Sequence, residues 1–556
     1  TAQSTSIPDK TTTMTTFRCL AGGVALLLAI IANAQSTALE VYQIFQEKCA
    51  SCHNSAAALG GLNLVGEGPT EEERAAEVYQ RIFRVTPNNP VAAAKGEAYI
   101  YPGRPDLSYL FKKINKGLQP DLHLSDGEGA VMPPEGEAAL SETERELVRQ
   151  WILYGAPPQT EVVDSVLLSN FYLGNAQRSF PDGPPAAPAA DEGFQIHMGP
   201  FFLEPGGETE FYQKLELQLP DDLEISRLDI KIGTFSHHFI LYKFGESNGS
   251  NLPHGLRPEP FHADVELVAA VQEPTDLRLP ENTAFFWKDD VVLDLNAHYI
   301  NYSGTAIYQA EVYLNVYTQP AGVAAQEMHT DILPNTSIYI PNDGNPVTYE
   351  QTVITPNEHL FLWGMVGHTH QYGTSYKVYE RQADGSRGEM IYDGACPNGA
   401  PGCIAPFFDY QHIPMRYFEP LRPIRMDAAG GIIHEASWLN DGPEPVAFGP
   451  TSDDEMMVLG VMYTLDTAGL APTSTASGPL QRPATVFPNP ATGNFFVDWP
   501  GAQSGSSIQL FTATGALVLQ QPIAGSPARV EASALPAGLY QYQGIDPRGP
   551  RQPGKV

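Results

Sequence analysis

The hydrophobic pattern of the chain changes once, near residue 190, and this change constrains the fold more than any single motif does. Upstream, apolar residues recur four positions apart, as at Leu147 and Trp151, which is typical of a helix face. Downstream, residues 194–466 contain short alternating or apolar runs such as LELQL over 215–219, separated by turn residues, as in β-sandwiches. Between the two segments, PDGPPAAPAA over 181–190 predicts a stiff, extended linker.

Two capping boxes predict helix starts within the upstream segment, residues 38–158. Thr70 precedes Glu73 and Ser141 precedes Glu144, each pair just before a periodic apolar run. In such a box the hydroxyl accepts from the backbone N–H three residues on, and the carboxylate accepts from the N–H of the cap residue. We therefore predict an all-α segment here.

A Cys-x-x-Cys-His motif, Cys49 to His53, lies near the start of this helical segment. Its two thiols have the spacing that bonds covalently to the vinyl groups of a haem, which places His53 under the iron as an axial ligand. The alternatives are a zinc site or a disulfide between Cys49 and Cys52, although zinc would need a second ligand pair that has no suitable spacing here. We predict one covalently bound haem c.

The second axial ligand is expected to be Met132, because a thioether raises the reduction potential of a haem and suits electron transfer. His123 is the rival candidate. The order of the CxxCH motif, PGRPDLSYL over 102–110, MPP over 132–134 and WILYGA over 151–156 resembles small class I c-type cytochromes. The resemblance implies a cytochrome c domain with Met132 on the iron.

Two histidine pairs lie in the strand-rich segment. His368 and His370 are two residues apart, so on a strand both side chains face the same way and can bind one metal. His237 and His238 are neighbours that would face opposite sides, so a shared metal requires a distorted backbone or different ring nitrogens. Imidazoles suit copper or zinc, and an added methionine thioether favours copper.

The order of four motifs in this segment carries a second resemblance. These are TFSHHFIL over 234–241, LNAHY over 295–299, GHTH over 367–370 and SDDEM over 452–456. In this order they resemble the type II copper, ascorbate-dependent monooxygenases, which include peptidylglycine α-hydroxylating and dopamine β-monooxygenases. The resemblance implies two copper ions, the first an electron-transfer copper and the second the oxygen-binding, catalytic copper. The implied ligands are His237, His238 and His298 for the first, and His368, His370 and Met456 for the second.

The same resemblance implies two β-sandwich domains, each holding one copper, that face each other across a solvent-filled cleft. It also implies hydroxylation of a substrate C–H bond with O2. The peptide-amidating members bind the substrate carboxylate through an arginine, an asparagine and a tyrosine, and the matching positions here are Val366, Val458 and Gly460. Without these groups a carboxylate loses a charge-assisted bond worth roughly 1.5–3 kcal/mol. We therefore expect a small substrate other than peptidylglycine.

Both ends of the chain predict export. Residues 14–34 have the positive charge, apolar core and small-residue cleavage site of a secretory signal peptide. VFPNP over 486–490 and LPAGLY over 535–540 resemble a type IX secretion C-terminal sorting domain. That resemblance implies passage through the periplasm, contact with the type IX secretion machinery, and release at the cell surface or outside the cell.

Charge and cysteine content agree with export. The net charge of −32 argues against binding to nucleic acid, because a phosphate backbone would be repelled. Cys396 and Cys403 lie in one Gly/Pro-rich loop and are expected to form a local disulfide in an oxidising compartment.

The predicted protein is multidomain. The expected order is a signal peptide (14–34), an all-α cytochrome c domain (38–158), a Pro/Ala-rich linker (159–193), two all-β, jelly-roll-like sandwich domains (194–328 and 329–466), a linker (467–483) and a small Ig-like β-sandwich for sorting (484–556).

The leading hypothesis is a secreted copper-dependent monooxygenase that acts on a small C–H substrate with O2. Electrons would enter through the haem from an external donor, either ascorbate or another redox protein. The alternative is a non-catalytic surface protein for electron transfer or copper binding; the presence of all six copper ligands favours the enzyme. The other histidines of the strand-rich segment are expected to be structural or on the surface: His197, His254, His262, His329, His359, His412 and His434.

Overall fold

The computed structural model of the chain describes residues 35–259, 264–355, 359–395, 408–410, 415–449, 453–470, 485–487, 493–498, 506–512, 517–523, 527–536, 540–546 and 549–555. The predicted signal peptide, the predicted disulfide between Cys396 and Cys403, His262 and His412 lie outside these residues. Within the described ranges, no helix has the length and apolar character needed to cross a membrane.

Residues 37–172 form a helical unit. Its α-helices are α1 (Thr37–Lys48), α2 (Glu71–Ile82), α3 (Pro90–Ala94), α4 (Tyr109–Ile114), α5 (Glu142–Leu153) and α6 (Ser165–Tyr172). Both predicted capping boxes are confirmed, since Thr70 caps α2 with Glu73 and Ser141 caps α5 with Glu144, each pair with both reciprocal hydrogen bonds.

The strands between residues 176 and 327 form a first β-unit made of two sheets. One sheet contains β1 (Ala176–Arg178), β2 (Gly193–Leu203), β4 (Leu223–Ile232), β8 (Thr275–Arg278), β9 (Thr283–Trp287), β11 (Ile307–Pro320) and β12 (Gln326–Glu327). The other has the order β6 (Leu256–Arg257), β3 (Glu208–Glu216), β10 (Val292–Ile300), β5 (Ser236–Phe244) and β7 (Val265–Val271). Phe201 and Trp287 from the first sheet share one buried core with Phe239 and Leu295 from the second, which is the packing of a β-sandwich.

Residues 329–464 form a second β-unit. One of its sheets has the order β13 (His329–Pro334), β22 (Val458–Thr464), β16 (His359–His368) and β19 (Arg416–Arg425). The other has the order β15 (Val347–Val353), β20 (Ile432–Trp438), β17 (Gly373–Arg381) and β18 (Arg387–Asp393), and β14 (Tyr339–Ile340) pairs separately with β21 (Val446–Ala447). Met365 of β16 and Tyr376 of β17 are fully buried in the core between the sheets.

The two β-units pack directly against each other. Trp363 and Met462 of the second unit belong to the buried core of the first. The Thr330 hydroxyl of β13 donates to the backbone carbonyl of Leu267 on β7. The interface therefore combines apolar burial with a buried hydrogen bond.

The predicted linker over 159–193 is shorter in the structure, because its first half is ordered. Leu168 and Phe171 of α6 are buried, and Phe171 stacks edge-to-face on Phe202 of β2 with ring centroids 4.9 Å apart. Strand β1 then pairs in parallel with β11. The apolar residues before the Pro/Ala-rich stretch are sufficient to bury a helix against the first β-unit.

The C-terminal residues form two small sheets. One has the order β23 (Thr485–Phe487), β24 (Asn494–Asp498) and β27 (Ala528–Glu531); the other has the order β26 (Leu517–Pro522), β25 (Ser507–Thr512), β28 (Tyr540–Asp546) and β29 (Gly549–Lys555). Phe495, Val497, Ile508 and Leu510 form their shared core. The described chain is thus mostly β-sheet, as expected for consecutive β-sandwich domains.

Candidate metal centres

Three histidines from two neighbouring strands form what we name the first centre: His237, His238 and His298. Strands β5 and β10 pair so that His298 lies opposite His238, whereas the next residue, Tyr299, lies opposite Ser236. The pairing therefore skips His237, which is the extra residue of a β-bulge. A bulge redirects a side chain, so this is the distorted backbone that adjacent histidines need to share a metal.

The ring nitrogens of the first centre have the spacing of a ligand set. One ligand nitrogen from each of the three side chains lies within 4.8 Å of the other two, and Nδ1 of His237 is 3.3 Å from Nδ1 of His238. Two nitrogens that each lie about 2.0 Å from one tetrahedral ion are roughly 3.3 Å apart. The residues present therefore fit a bound metal ion.

Polar side chains accept hydrogen bonds from the Nε2 atoms of two histidines of this centre. His298 donates from Nε2 to the Glu208 carboxylate over 2.7 Å. His238 donates from Nε2 to Asn296 Oδ1 over 3.0 Å and to Glu210 Oε1 over 3.2 Å. Both rings therefore keep Nδ1 for a metal, and a carboxylate behind a histidine raises its basicity as a ligand.

The protonation states also suit a metal. Burial alone would raise the pKa of Glu210, but the hydrogen bond and charge of His238 dominate and lower it to about 2, so the carboxylate is ionised. Burial and the charge of His238 lower the pKa of His298. A neutral imidazole is the form that binds a metal.

We expect Glu208→Gln and Glu210→Gln each to weaken copper binding at the first centre by about ten- to hundredfold, because each removes the carboxylate behind a ligand histidine. Titration against a copper chelator measures this affinity. Glu204→Gln, an exposed position in the turn before β3, is the matched control and should bind copper as the parent does. Parent-like affinity in both test variants would contradict the role of the carboxylates.

The second centre comprises His368, His370 and Met456. His368 is the last residue of β16 and lies opposite Val458 of β22. Its ring centroid is 5.1 Å from that of His370, with the rings nearly perpendicular. His370 donates from Nδ1 to the backbone carbonyl of Asp454 over 3.0 Å, which leaves Nε2 as its nitrogen for a metal.

The buried carboxylate of Glu455 ties the two segments of the second centre together. It accepts from the backbone N–H groups of Tyr372 (2.7 Å), His370 (2.9 Å) and Met456 (3.2 Å), and from the Trp438 indole (2.8 Å). Because one carboxylate binds both the His370 and the Met456 backbone, it holds the thioether-bearing residue beside the histidine pair.

The first and second centres lie within electrostatic range of each other. Burial and the charges of His370 and His238 lower the pKa of His368 to about 3. Burial also lowers the pKa of His370, and His238 of the first centre adds to this effect. His368 is therefore neutral near pH 7, and its electrostatic interaction with His237 and His238 shows that the two centres lie near each other.

The Cys-x-x-Cys-His motif forms a tight turn at the end of α1. Cys49 caps the helix, and its carbonyl accepts from the N–H groups of Cys52 (3.2 Å) and His53 (2.9 Å). Cys49 and Cys52 are both unpaired in this structure. Burial raises the pKa of Cys49 to about 11.

The environment of His53 and Met132 fits a haem. His53 Nδ1 is buried and has no hydrogen-bond partner within the described residues. Cys49 and Met132 pack against the same helical core. Met132 is partly buried, and its N–H donates to the Lys113 carbonyl over 2.7 Å, whereas His123 is exposed. Burial therefore favours Met132 over His123 as the second axial ligand.

The sequence alone does not assign a role to several residues that support these centres. Asn296 and Glu455 lie inside the histidine and methionine motifs, but neither is a metal ligand. Glu208 and Glu210 alternate on β3, far in sequence from the three histidines of the first centre. Only the pairing of β3 with β10, which places Glu210 opposite His298, shows that they belong to the first centre.

Comparison with known proteins identifies the C-terminal unit. Residues 485–545 match the family model of the secretion system C-terminal sorting domain. The unit is a type IX secretion sorting domain. The chain is therefore exported to the cell surface or the extracellular space, and the sorting domain interacts with the type IX secretion machinery.

Two solved structures share limited similarity with the chain. No curated protein matches the sequence significantly. The STIV MCP is 11% identical, with a TM-score of 0.23 over 49% of this chain and 97% of that protein. The major capsid protein P2 from bacteriophage PM2 is 8% identical, with the same TM-score and coverage. These scores are too low to define the fold or function of this chain.

Proposed function

We propose that this exported protein is a copper-dependent monooxygenase that hydroxylates a C–H bond of a small substrate with O2 and receives electrons through a covalent haem. In this proposal residues 38–158 are a cytochrome c domain, residues 194–328 and 329–466 are jelly-roll-like copper domains, and residues 484–556 are an Ig-like sorting sandwich. The observation that carries the proposal is the convergence of His237, His238 and His298 at a β-bulge, within electrostatic range of His368.

Each metal would be held by this chain's own side chains. The first centre would hold one copper through His237, His238 and His298, and the second centre would hold the other through His368, His370 and Met456. Copper bound there would supply one-electron redox chemistry and the activation of O2. A methionine thioether added to two histidine ligands, as in the second centre, would favour Cu(I), the reduced ion that reacts with O2.

The surrounding residues would orient and protect these ligands. Asn296 and the Glu208 and Glu210 carboxylates fix the tautomers in the first centre, and Glu455 fixes the backbone of the second. Burial lowers the pKa values of His298, His368 and His370, so protons compete less with the metal at these three ligands.

The contact between the β-units supports a substrate without a carboxylate. A Cβ at Gly460 would lie 3.2 Å from Val366 and 3.4 Å from Leu267 of the first unit. The positions where amidating enzymes bind a carboxylate are thus apolar here, and one contacts the facing unit. An anion placed there would lose its hydration without gaining a cation, which disfavours peptidylglycine.

Cys49 and Cys52 would attach the haem, with His53 and Met132 as axial ligands. Each hydroxylation needs two electrons, and a haem on the same chain acts at a high effective concentration. The external donor would be ascorbate or another redox protein, which reduces the haem between turnovers.

The test uses the full chain loaded with haem and copper. Elemental analysis should find two coppers per chain. Incubation with O2, ascorbate and a panel of small apolar and aromatic compounds should give a product that gains one oxygen atom, detected by mass spectrometry. Met456→Ala should reduce product to background while the first centre stays loaded.

Two results would contradict the proposal. Fewer than two coppers in the parent would exclude the two-centre arrangement. Full copper loading without O2 uptake or product would favour the non-catalytic electron-transfer or copper-binding protein instead.

A further inference from the structure

We propose that the helical unit is a permanently docked electron donor, and that electrons pass from it to the first centre along Tyr154, Phe211, Glu210 and His238. This inference rests on the proposed function, because it requires both the haem and the copper. It adds a defined surface and route between them.

The docking surface contains a seam, formed by Gly103, Gly155 and Gly255, where the backbones of the two units are in direct contact. Gly103 and Gly155 of the helical unit and Gly255 of the first β-unit have φ angles of +75°, +86° and +93°, which L-residues rarely adopt. A Cβ on Gly103 would lie 2.4 Å from Gly255 N, one on Gly155 would lie 2.6 Å from His254 O, and one on Gly255 would lie 2.5 Å from Gly155 N. No side chain fits at any of the three positions.

Buried polar and apolar contacts flank the glycine seam. Gln213 of β3 donates to the Gly103 carbonyl over 3.1 Å, and Gln150 of α5 donates to the Pro200 carbonyl over 2.7 Å. Leu153 at the end of α5 belongs to the buried core of the first β-unit. Undocking would expose these amides and carbonyls and this apolar surface, whose burial stabilises the docked arrangement.

One aromatic pair crosses the seam toward the metal. Tyr154 packs against both the helical core and the β-unit core, and its ring stacks edge-to-face on Phe211 of β3 with centroids 5.5 Å apart. The residue before Phe211 is Glu210, whose carboxylate lies 3.2 Å from His238 Nε2. From Tyr154 onward, the route therefore consists of one ring contact, one stretch of covalent backbone and one hydrogen bond.

The electron balance of the transfer is simple. One electron leaves the ferrous haem, which becomes ferric, and reduces one Cu(II) at the first centre to Cu(I). No covalent bond forms or breaks. An external one-electron reductant restores the ferrous haem, so two such transfers supply one hydroxylation.

An anaerobic stopped-flow experiment tests the inference. The haem is reduced in protein whose copper is oxidised, and the rate of haem oxidation is then measured. In the parent the rate should not depend on protein concentration. Gly255→Ala inserts a Cβ into the seam and should slow the transfer roughly tenfold or more, because docking no longer maintains a high effective concentration. Gly206→Ala is the matched control: its φ is +74° but its Cβ meets nothing within 4 Å, and it should transfer at the parent rate.

A second variant covers the case in which Gly255→Ala fails to fold. Phe211→Leu keeps the backbone seam and removes the ring that contacts Tyr154, and it should also slow the transfer with haem and copper contents unchanged. Parent-like rates in the folded variants, or a parent rate that rises with protein concentration, would overturn the docked-donor inference alone. A parent that binds no copper would instead overturn the proposed function, and copper analysis separates the two results.

Discussion

Glu455→Ala should destabilise the second β-unit by at least about 3 kcal/mol and empty the second centre. The side chain is fully buried, and its removal leaves four donors without an acceptor: the buried Trp438 indole and the partly buried N–H groups of His370, Tyr372 and Met456. Each buried donor left unsatisfied costs about 1–3 kcal/mol. Because the same carboxylate holds His370 next to Met456, the variant should bind one copper per chain instead of two.

Urea unfolding and elemental analysis measure the two effects of Glu455→Ala. Glu455→Gln retains one acceptor oxygen and should fall between the parent and the alanine variant in stability. Asp453→Ala, two residues away and exposed, is the control and should keep two coppers and parental stability. If Glu455→Ala kept both coppers, the carboxylate would not be what positions the second centre.

Local sequence signals predicted the local structure well. The capping boxes at Thr70 and Ser141 are confirmed because both partners of each box lie within one helical turn. The strand-rich pattern after residue 190 correctly predicted a mostly β fold, since alternation reflects burial of one strand face. The sequence analysis did not predict helix α6 within the linker. The burial of α6 depends on Phe202 of β2, which lies further along the chain.

The arrangement of the first centre shows what the sequence cannot specify. The sequence indicated that adjacent His237 and His238 need either a distorted strand or different ring nitrogens to share a metal, but the bulge itself arises from the pairing of β5 with β10. Glu208 lies 90 residues from His298, with which it forms a hydrogen bond. Contacts of this kind depend on strand register, which no local pattern encodes.

The export prediction has a different basis. The C-terminal motifs were recognised by resemblance, and the family match over 485–545 confirms the sorting domain. The haem and copper resemblances have no such match and remain predictions. A test of the copper prediction can use Gly367, the residue before His368, because it is tightly packed.

Gly367→Ala should displace His368 and empty the second centre, although it adds only one methyl group. That methyl would lie 2.3 Å from the Tyr376 ring, closer than real Cβ atoms come. The ring is fully buried, and its hydroxyl donates to His434 Nδ1 over 2.7 Å, while His434 in turn contacts Gln351 over 3.0 Å. Because the ring is fixed by this chain of hydrogen bonds, the end of β16 must shift instead.

The expected loss of stability in Gly367→Ala is about 1–3 kcal/mol, the usual cost of overpacking a core, and copper content should fall from two to one per chain. Gly364→Ala on the same strand is the matched control, since its Cβ would make only an ordinary contact, 3.5 Å from the Tyr417 ring. Copper analysis and urea unfolding of both variants decide the question. Two coppers in Gly367→Ala would mean that His368 tolerates a shift of β16, and that the tight packing beneath it does not position the metal.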